Sequence, residues 1–499
     1  MIGRFNEKSR ETWAAFKPEF MHVEPKSRPP RSHSTHSSEE AGQCRSSKGV
    51  QGGGDAMSKA TENKPVAVSE KTTRTGELLG LMFQVEPTVW TERMLTALIQ
   101  GVKGGKWFSL IDKVHPERTL RAAFSQVAAN EGAAGVDHVT IAMFVTHLDE
   151  ELRRLSEQLR TDTYRPQAIR RHYIPKPGTK EKRPLGIPTV RDRVVQTALR
   201  MVIEPIFEQE FAEQSYGFRP GRGCKDALRR VDELLKSGYC YIVDADLKSY
   251  FDTIPHDRLM ALVSQKVTDG RVLKLIEAFL KQGVLDGLQE WTPEMGSPQG
   301  AVISPLLSNI YLNPLDHMMA QQGFEMVRYA DDFVILCRNP EEATRALAAV
   351  QEWTATAGLT LHPTKTKIVN ATEDPFEFLG YRFEGGRRFP RAKSLKKLKD
   401  TIRARTKRTS GHCLQAIIGS INPTLRGWFG YFKHSYRTTF PDVDKWVRMR
   451  LRSILRKRCH RRGRGRGADH YRWPNAFFAA HGLYSLQTAH ATACQSSKR

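Results

Sequence analysis

The sequence predicts a mixed α+β chain built round a small antiparallel sheet, followed by a helical, strongly basic C-terminal part. Three observations carry that expectation. Tyr329-Ala330-Asp331-Asp332 separates two short apolar runs, Met326-Val327-Arg328 and Phe333-Val334-Ile335-Leu336, as a tight turn separates two strands. Tyr239–Leu247 reads as a buried strand that turns acidic at its C-terminal end. Leu395-Lys396-Lys397-Leu398-Lys399 and Trp446–Leu455 place apolar residues at helical spacing with cations between them.

Asp331 and Asp332 at a hairpin tip can project to one side, which neighbours within a regular strand do not. Two adjacent carboxylates repel each other and are costly to desolvate. The group that makes such a pair worthwhile is a hard divalent cation, and Mg²⁺ takes one or two carboxylates plus substrate phosphates. A solvated turn is the alternative on these four residues alone, since Asp is a common turn residue. In the acidic strand, period two sets Asp244 and Asp246 on one face, with Val243 and Ala245 on the other. A third carboxylate from a neighbouring strand would complete a site for two Mg²⁺ ions. Such a site activates a 3′-hydroxyl, stabilises a leaving pyrophosphate and holds the two in line.

Further motifs flank these elements. Ile174-Pro175-Lys176-Pro177-Gly178 leads into Lys182–Pro188, a Pro/Gly-rich hairpin with Lys176 and Arg183 on its flanks. Its cations can fold over a triphosphate, Arg by bidentate contact and Lys as a point charge, or form a solvated basic loop. Arg219 and Arg222, in the Gly/Pro turn of Ser215–Arg222, read as grips on a template backbone rather than as chemistry. Gly296-Ser297-Pro298-Gln299-Gly300 sets an amide beside a glycine that permits close backbone approach. Gly358–His362 precedes Lys365 and Lys367, and Phe378-Leu379-Gly380-Tyr381 and Arg426–Phe432 follow.

In this order and spacing, the motifs between about Gly132 and Leu486 resemble the ordered blocks of group II intron-encoded reverse transcriptases, the intron maturases. The resemblance implies a right-hand polymerase fold with helical fingers, an antiparallel-sheet palm and an α-helical thumb, the maturase domain X. It implies Asp246, Asp331 and Asp332 as the catalytic, metal-binding triad for two Mg²⁺ ions. Asp246 ranks ahead of Asp244 because the family places a bulky aromatic five residues after its catalytic Asp. Here that residue is Phe251, resembling the steric gate that excludes a ribonucleotide 2′-OH. Lys176, Arg183, Gln299 and Lys365 are implied to bind the nucleotide with it. The expected activity is RNA-directed DNA polymerisation, adding dNTPs to a DNA or RNA primer on an RNA template. The expected partners are the parent group II intron RNA, whose splicing and retromobility the chain would assist, and target DNA. Two alternatives stand beside this: a domesticated reverse transcriptase serving defence, repair or a CRISPR system, and an RNA-binding splicing factor without polymerase activity. The intact Asp triad argues against the second.

Composition agrees. At 499 residues, length suggests about three domains. The formal net charge of +24 points to a polyanionic partner. Lys393–Gly467 holds 22 Lys and Arg against three Asp, with Trp428, Phe429, Tyr431, Phe432, Tyr436 and Trp446 interleaved. Cations for phosphates and aromatic faces for unstacked bases suit RNA, although Trp428 and Phe432 fit a helical core better. Gly419-Ser420-Ile421-Asn422-Pro423 should break the helical stretches of this part, and Arg461–Gly467 should form a flexible arm. The expected domains are a disordered extension over 1–77, N-terminal helices and fingers over 78–240, palm over 241–390, thumb over 391–486 and a tail over 487–499. Seven cysteines without a Cys-x-x-Cys pair suggest neither a disulfide framework nor a zinc site, so an HNH endonuclease domain is not expected. No run of 18 apolar residues occurs and no signal peptide is evident, so no membrane partner is expected and the cytosol or nucleoid is the expected location.

Overall fold

The structure, a computed structural model, describes residues 85–175, 182–465 and 467–496. The disordered extension expected over 1–77, and the order expected from Leu78, lie outside the described residues.

The centre is a four-stranded antiparallel sheet in the order β6-β7-β3-β8, formed by Glu325–Tyr329 (β6), Asp332–Cys337 (β7), Tyr241–Asp246 (β3) and Lys367–Asn370 (β8). Strand alternation divides its apolar residues between two cores. Val243, Ala245, Met326, Phe333, Ile335 and Cys337 join the larger cluster, with the helices Val190–Glu208, Ser304–Gln321 and Pro340–Thr356. Ile242, Val327, Tyr329, Val334, Leu336 and Val369 join the second, under the helix Cys224–Lys236. That second layer is closed by a small antiparallel sheet of Phe376–Phe378 (β9), Tyr381–Glu384 (β10) and Arg387–Pro390 (β11), whose Phe376 and Phe383 rings stack at 4.7 Å. Both faces are covered, and the ends of β3 and β7 bring Asp246 and Asp332 side by side.

The helices follow local chemistry. Val190–Glu208 is buried on nearly every side, and its buried polar residues Asp192, Arg193, Gln196 and Thr197 find partners within the fold. The Thr189 hydroxyl caps it by accepting from the Asp192 N–H. Asn339 caps Pro340–Thr356 in the same way, with Pro340 at the first helical position, where no N–H is needed. A second sheet, β2-β1-β4-β5, joins Lys182–Ile187 (β2), Ile169–Pro175 (β1), Val284–Asp286 (β4) and Gln289–Trp291 (β5), with β1 parallel to β4.

The C-terminal part is helical, with its own core of Leu398, Ile402, Ile417, Ile421, Leu425, Phe440, Val447, Leu451, Ile454 and Phe478. Here the structure corrects three expectations. Gly419–Pro423 breaks nothing: Leu414–Phe432 is one helix with Pro423 inside it. A proline in a helix costs about 3 kcal/mol. Seven apolar side chains buried along this helix each return about 1.5–3 kcal/mol, so burial wins. Gly419 and Pro423 lie on the exposed face, where water can serve the carbonyl the proline leaves unbonded. The Gly/Arg run is tied down at least through Gly465, whose N–H reaches the Ser453 hydroxyl at 3.2 Å and where a Cβ would stand 2.5 Å from Arg452. The segment expected as a tail is largely the helix Leu486–Ser496, held at its start by Asp444, which accepts from the Leu486 N–H at 3.0 Å. Trp428 and Phe432 pack in these cores rather than standing free for bases.

Candidate active site

Tyr329 pairs with Asp332 across β6 and β7, leaving Ala330-Asp331 as a two-residue hairpin loop. Ala330 has φ +60, a left-handed conformation costing an L-residue about 1–2 kcal/mol, so something must hold it. Two contacts do. Gly217 lies so close that a Cβ there would stand 2.2 Å from the Ala330 nitrogen, which is why the Ser-Tyr-Gly-Phe turn needs glycine. Behind the turn, Arg328 Nη1 donates to the Ala330 carbonyl at 2.9 Å.

Arg328 is fully buried and its bonds are saturated. Nε donates to Asp316 Oδ1 at 2.7 Å, Nη1 to Asn309 Oδ1 at 3.0 Å, and Nη2 to Ser215 Oγ at 2.8 Å and to the second Asp316 oxygen. Burial alone would lower its proton affinity, but the Asp316 carboxylate outweighs that and keeps the guanidinium charged. Asn309 also donates to the Gly217 carbonyl at 2.8 Å, so one side-chain network fixes both walls of the hairpin tip. Sequence reasoning missed Arg328, Asp316 and Asn309. The available signal was an arginine between the apolar pair Met326-Val327 and Tyr329.

On the opposite face, Asp246 at the end of β3 is the direct cross-strand partner of Asp332, with Asp331 beside them at the tip. The crowding shows in their acidity. Burial of the carboxyl, then the charges of Asp331, Asp244 and Asp246, push Asp332 up to about 7, although the residue keeps one side exposed. Asp331 is raised by burial and by Asp246, against the opposing pull of Arg183 and Arg328. Asp244 is pushed up to about 6 by burial, with Asp246 and Glu377 adding to it and the facing Lys367 relieving it. Burial and mutual repulsion thus disfavour the ionised form of all three carboxyls.

A cation already answers part of it. Lys365 Nζ lies 2.5 Å from Asp246 Oδ2. Lys365 is brought there by backbone zipping: His362 N–H bonds the Asp246 carbonyl at 2.7 Å, and Lys248 N–H bonds the Thr360 carbonyl at 2.8 Å. Among the described residues no three His, Cys, Asp or Glu side chains are closed into a ready metal cage. The all-oxygen donor set, the raised proton affinities and the ammonium on Asp246 fit a place for hard cations.

The other expected site residues divide. Lys176 lies outside the described residues. Arg183 is on β2, exposed, and its charge reaches Asp331. Gln299 is half-buried in a loop pressed against β2: its carbonyl accepts from the Gly186 N–H at 2.6 Å. Gly300, at φ +108, could not carry a Cβ, which would stand 2.4 Å from the Gly186 carbonyl oxygen. Phe251 is half-buried on the short helix Tyr250–Thr253, edge-on to Tyr250. Arg219 and Arg222, expected as template grips, are both tied to their own turn. Arg219 is buried, bonded to Glu208 and to the Ala212 and Ser215 carbonyls, and Arg222 bonds the Glu213 carbonyl and lies over the Tyr216 ring. Their guanidinium groups fold the Ser215–Arg222 turn.

Two family profiles cover most of this architecture. One, described as reverse transcriptase (RNA-dependent DNA polymerase), matches residues 174–383, and the maturase-specific domain of group II introns matches residues 395–473. Protein YkfC of Escherichia coli (strain K12) is 37% identical over 290 residues, covering 50% of this chain and 75% of that protein. The chain belongs to the group II intron-encoded reverse transcriptase/maturase family. Its fold is the reverse-transcriptase one, with the β6-β7-β3-β8 sheet in the palm and a maturase-specific helical part. Another member, the group II intron-encoded protein LtrA of Lactococcus lactis subsp. cremoris, is 39% identical over 201 residues, 40% of this chain and 33% of that protein. Nuclear intron maturase 4, mitochondrial, of Arabidopsis thaliana is 28% identical over 217 residues, 43% of this chain and 26% of that protein. The chain thus aligns with about a third of the length of the lactococcal relative.

Proposed function

We propose that the chain is an RNA-directed DNA polymerase that extends a DNA or RNA primer on an RNA template with dNTPs. It also holds its parent group II intron RNA to assist splicing and retromobility, with target DNA as a further partner. The observation that carries the reading is the direct pairing of Asp246 with Asp332 beside Asp331 at the hairpin tip.

Asp246, Asp331 and Asp332 would hold two Mg²⁺ ions, which supply charge neutralisation at the attacking 3′-hydroxyl and the leaving pyrophosphate. The protein's own contribution is position. Arg328 and Gly217 fix the tip, so the carboxylates need no reorganisation. Arg183, with Lys176, brings cations to the triphosphate side. Gln299 lies under the incoming nucleotide and Phe251 closes the space at its sugar. Lys365 pairs with Asp246 in the resting chain and has the length to turn to the phosphates. Fingers through residue 240, palm over 241–390 and thumb from 391 are the assigned units. No helix among the described residues is long and apolar enough to cross a membrane, and we assign the chain to the cytosol or nucleoid.

The test is primer extension on a long RNA template with dNTPs and Mg²⁺, comparing wild type with Asp331→Ala, alongside retention of intron RNA. The variant should lose cDNA synthesis and keep RNA binding. A folded wild type that binds RNA and makes no cDNA would sink the polymerase reading. Loss of both functions in a folded variant would sink the separation of catalysis from RNA binding.

A further inference from the structure

The short helix carrying Phe251 is clamped along one side by Met295–Ser297. Ser297 donates its N–H to the Phe251 carbonyl at 2.6 Å, and Gly296 donates to the Ile254 carbonyl at 2.8 Å. Pro255 pairs with Met295 in an antiparallel bridge. Gly296 has φ +89, and a Cβ there would stand 2.8 Å from the Phe251 carbonyl oxygen and 2.9 Å from the Asp252 Cα. The two backbones touch, so Phe251 sits wherever Gly296 and Ser297 are held.

That segment has its own fixed point. His256 is 6% exposed, and its Nε2 lies 2.7 Å from the Gly296 carbonyl oxygen. A carbonyl only accepts, so Nε2 carries the proton and Nδ1 is left as the acceptor nitrogen. Nδ1 is buried and has no hydrogen-bond partner. A buried ring with one orphaned nitrogen is there for the bond the other nitrogen makes. At its far end the same segment is held by Ser304, which bonds the Ser297 hydroxyl at 2.7 Å and the Pro298 carbonyl at 2.9 Å, and by Gly186, which bonds the Gln299 carbonyl. Met295–Gln299 therefore runs from Phe251 to Gln299, anchored by His256 near one end.

We infer that His256 is a positioning residue for sugar discrimination: through Gly296 and Ser297 it sets the distance between Phe251 and the incoming nucleotide. The inference rests on the proposed gate role of Phe251. Removing the His256 bond lets the Met295–Ser297 segment and the Phe251 turn relax together, opening room for a 2′-hydroxyl while leaving the carboxylates in place.

The experiment compares dNTP and rNTP incorporation by the full chain, with kcat and KM measured separately, in wild type, Phe251→Ala, His256→Asn and His256→Gln. Thermal melting and intron RNA binding serve as fold controls. His256→Asn, whose amide is too short to reach Gly296, should lose about tenfold in discrimination, mainly through a lower KM for rNTPs. His256→Gln, which returns a donor to the Nε2 position, should restore it. Should the Asn variant fail to fold, Ser304→Ala frees the same segment and carries the same expectation. Wild-type selectivity in Phe251→Ala would remove the gate role, and this inference with it. Altered selectivity in Phe251→Ala with wild-type selectivity in a folded His256→Asn or Ser304→Ala would overturn the inference alone.

Discussion

Asp332 shows what one residue of this site costs the free protein. Its carboxyl is raised from an ordinary 3.8 to about 7, by burial first and by three neighbouring carboxylates after it. A folded-state pKa above the unfolded one means that the group's contribution to stability is whole below about pH 4 and is lost as pH rises through 7. Asp332→Asn removes the charge and keeps the shape. In EDTA, the variant should match wild type in Tm near pH 4 and melt higher near pH 8. Solvent on the exposed side of Asp332 screens the repulsion, so the gap should be nearer ~1 kcal/mol than a fully buried pair would give. Adding Mg²⁺ should stabilise wild type more than the variant and narrow the gap. A Tm difference that does not change between pH 4 and pH 8 would show that the carboxylates do not strain the free site. That Asp332 stands at a hairpin tip beside Asp331 was legible from the sequence, because the two are adjacent and the turn is local. How far its proton affinity moves was not, because that depends on Asp246 and Asp244 arriving from another strand.

At the scale of the element, the hairpin divides into a legible part and a hidden one. Two apolar runs and a short acidic spacer define the hairpin within a dozen residues. What holds its tip comes from far away: Ser215, Asn309 and Asp316 meet Arg328, and Gly217 meets Ala330. What ties down Arg219, expected as a template grip, was hidden for a related reason. Its partners Glu208, Ala212 and Ser215 are close in sequence, but only the folded turn shows that they use up the guanidinium. Arg328→Met should cost about 3–5 kcal/mol, since it leaves Asp316 buried and unpaired. Arg328→Met combined with Asp316→Leu should recover most of that stability, because the uncompensated charge is gone. It should not recover polymerisation, since the Ala330 carbonyl still lacks its donor and the left-handed turn is free to relax. Chemical denaturation and primer extension on the same preparations separate the two effects. A double variant that makes cDNA at the wild-type rate would reduce the network to a packing role.

Across the whole molecule, the surplus of positive charge is the feature that composition showed most plainly and the structure redistributes. Of the 22 cations between Lys393 and Gly467, several are spent on folding. Arg452 is buried against the Trp473 carbonyl, Arg456 pairs with Asp469 at 2.6 Å, and Arg450 bonds the Thr406 carbonyl at 2.7 Å. A helical core of modest size needs such bonds to close its loops, and the Gly/Arg run folds back onto it, with the Arg462 carbonyl accepting from Arg456. Lys393, Lys396, Lys457 and Arg461 by contrast are exposed on the same helical part. Each phosphate neutralised by such a side chain releases condensed counterions, steepening the fall of log affinity with log salt by about 0.7–0.9 per contact. Replacing all four with Gln should lower the salt slope of intron RNA binding by about 3–3.5 where all four touch phosphates, while leaving the Tm and the rate of extension on saturating template near wild type. The corresponding change at Arg450, Arg452 and Arg456 should lower the Tm instead. RNA titrations over a salt series, with melting curves beside them, read both. An unchanged slope in the four-site variant would show that these side chains do not touch the intron.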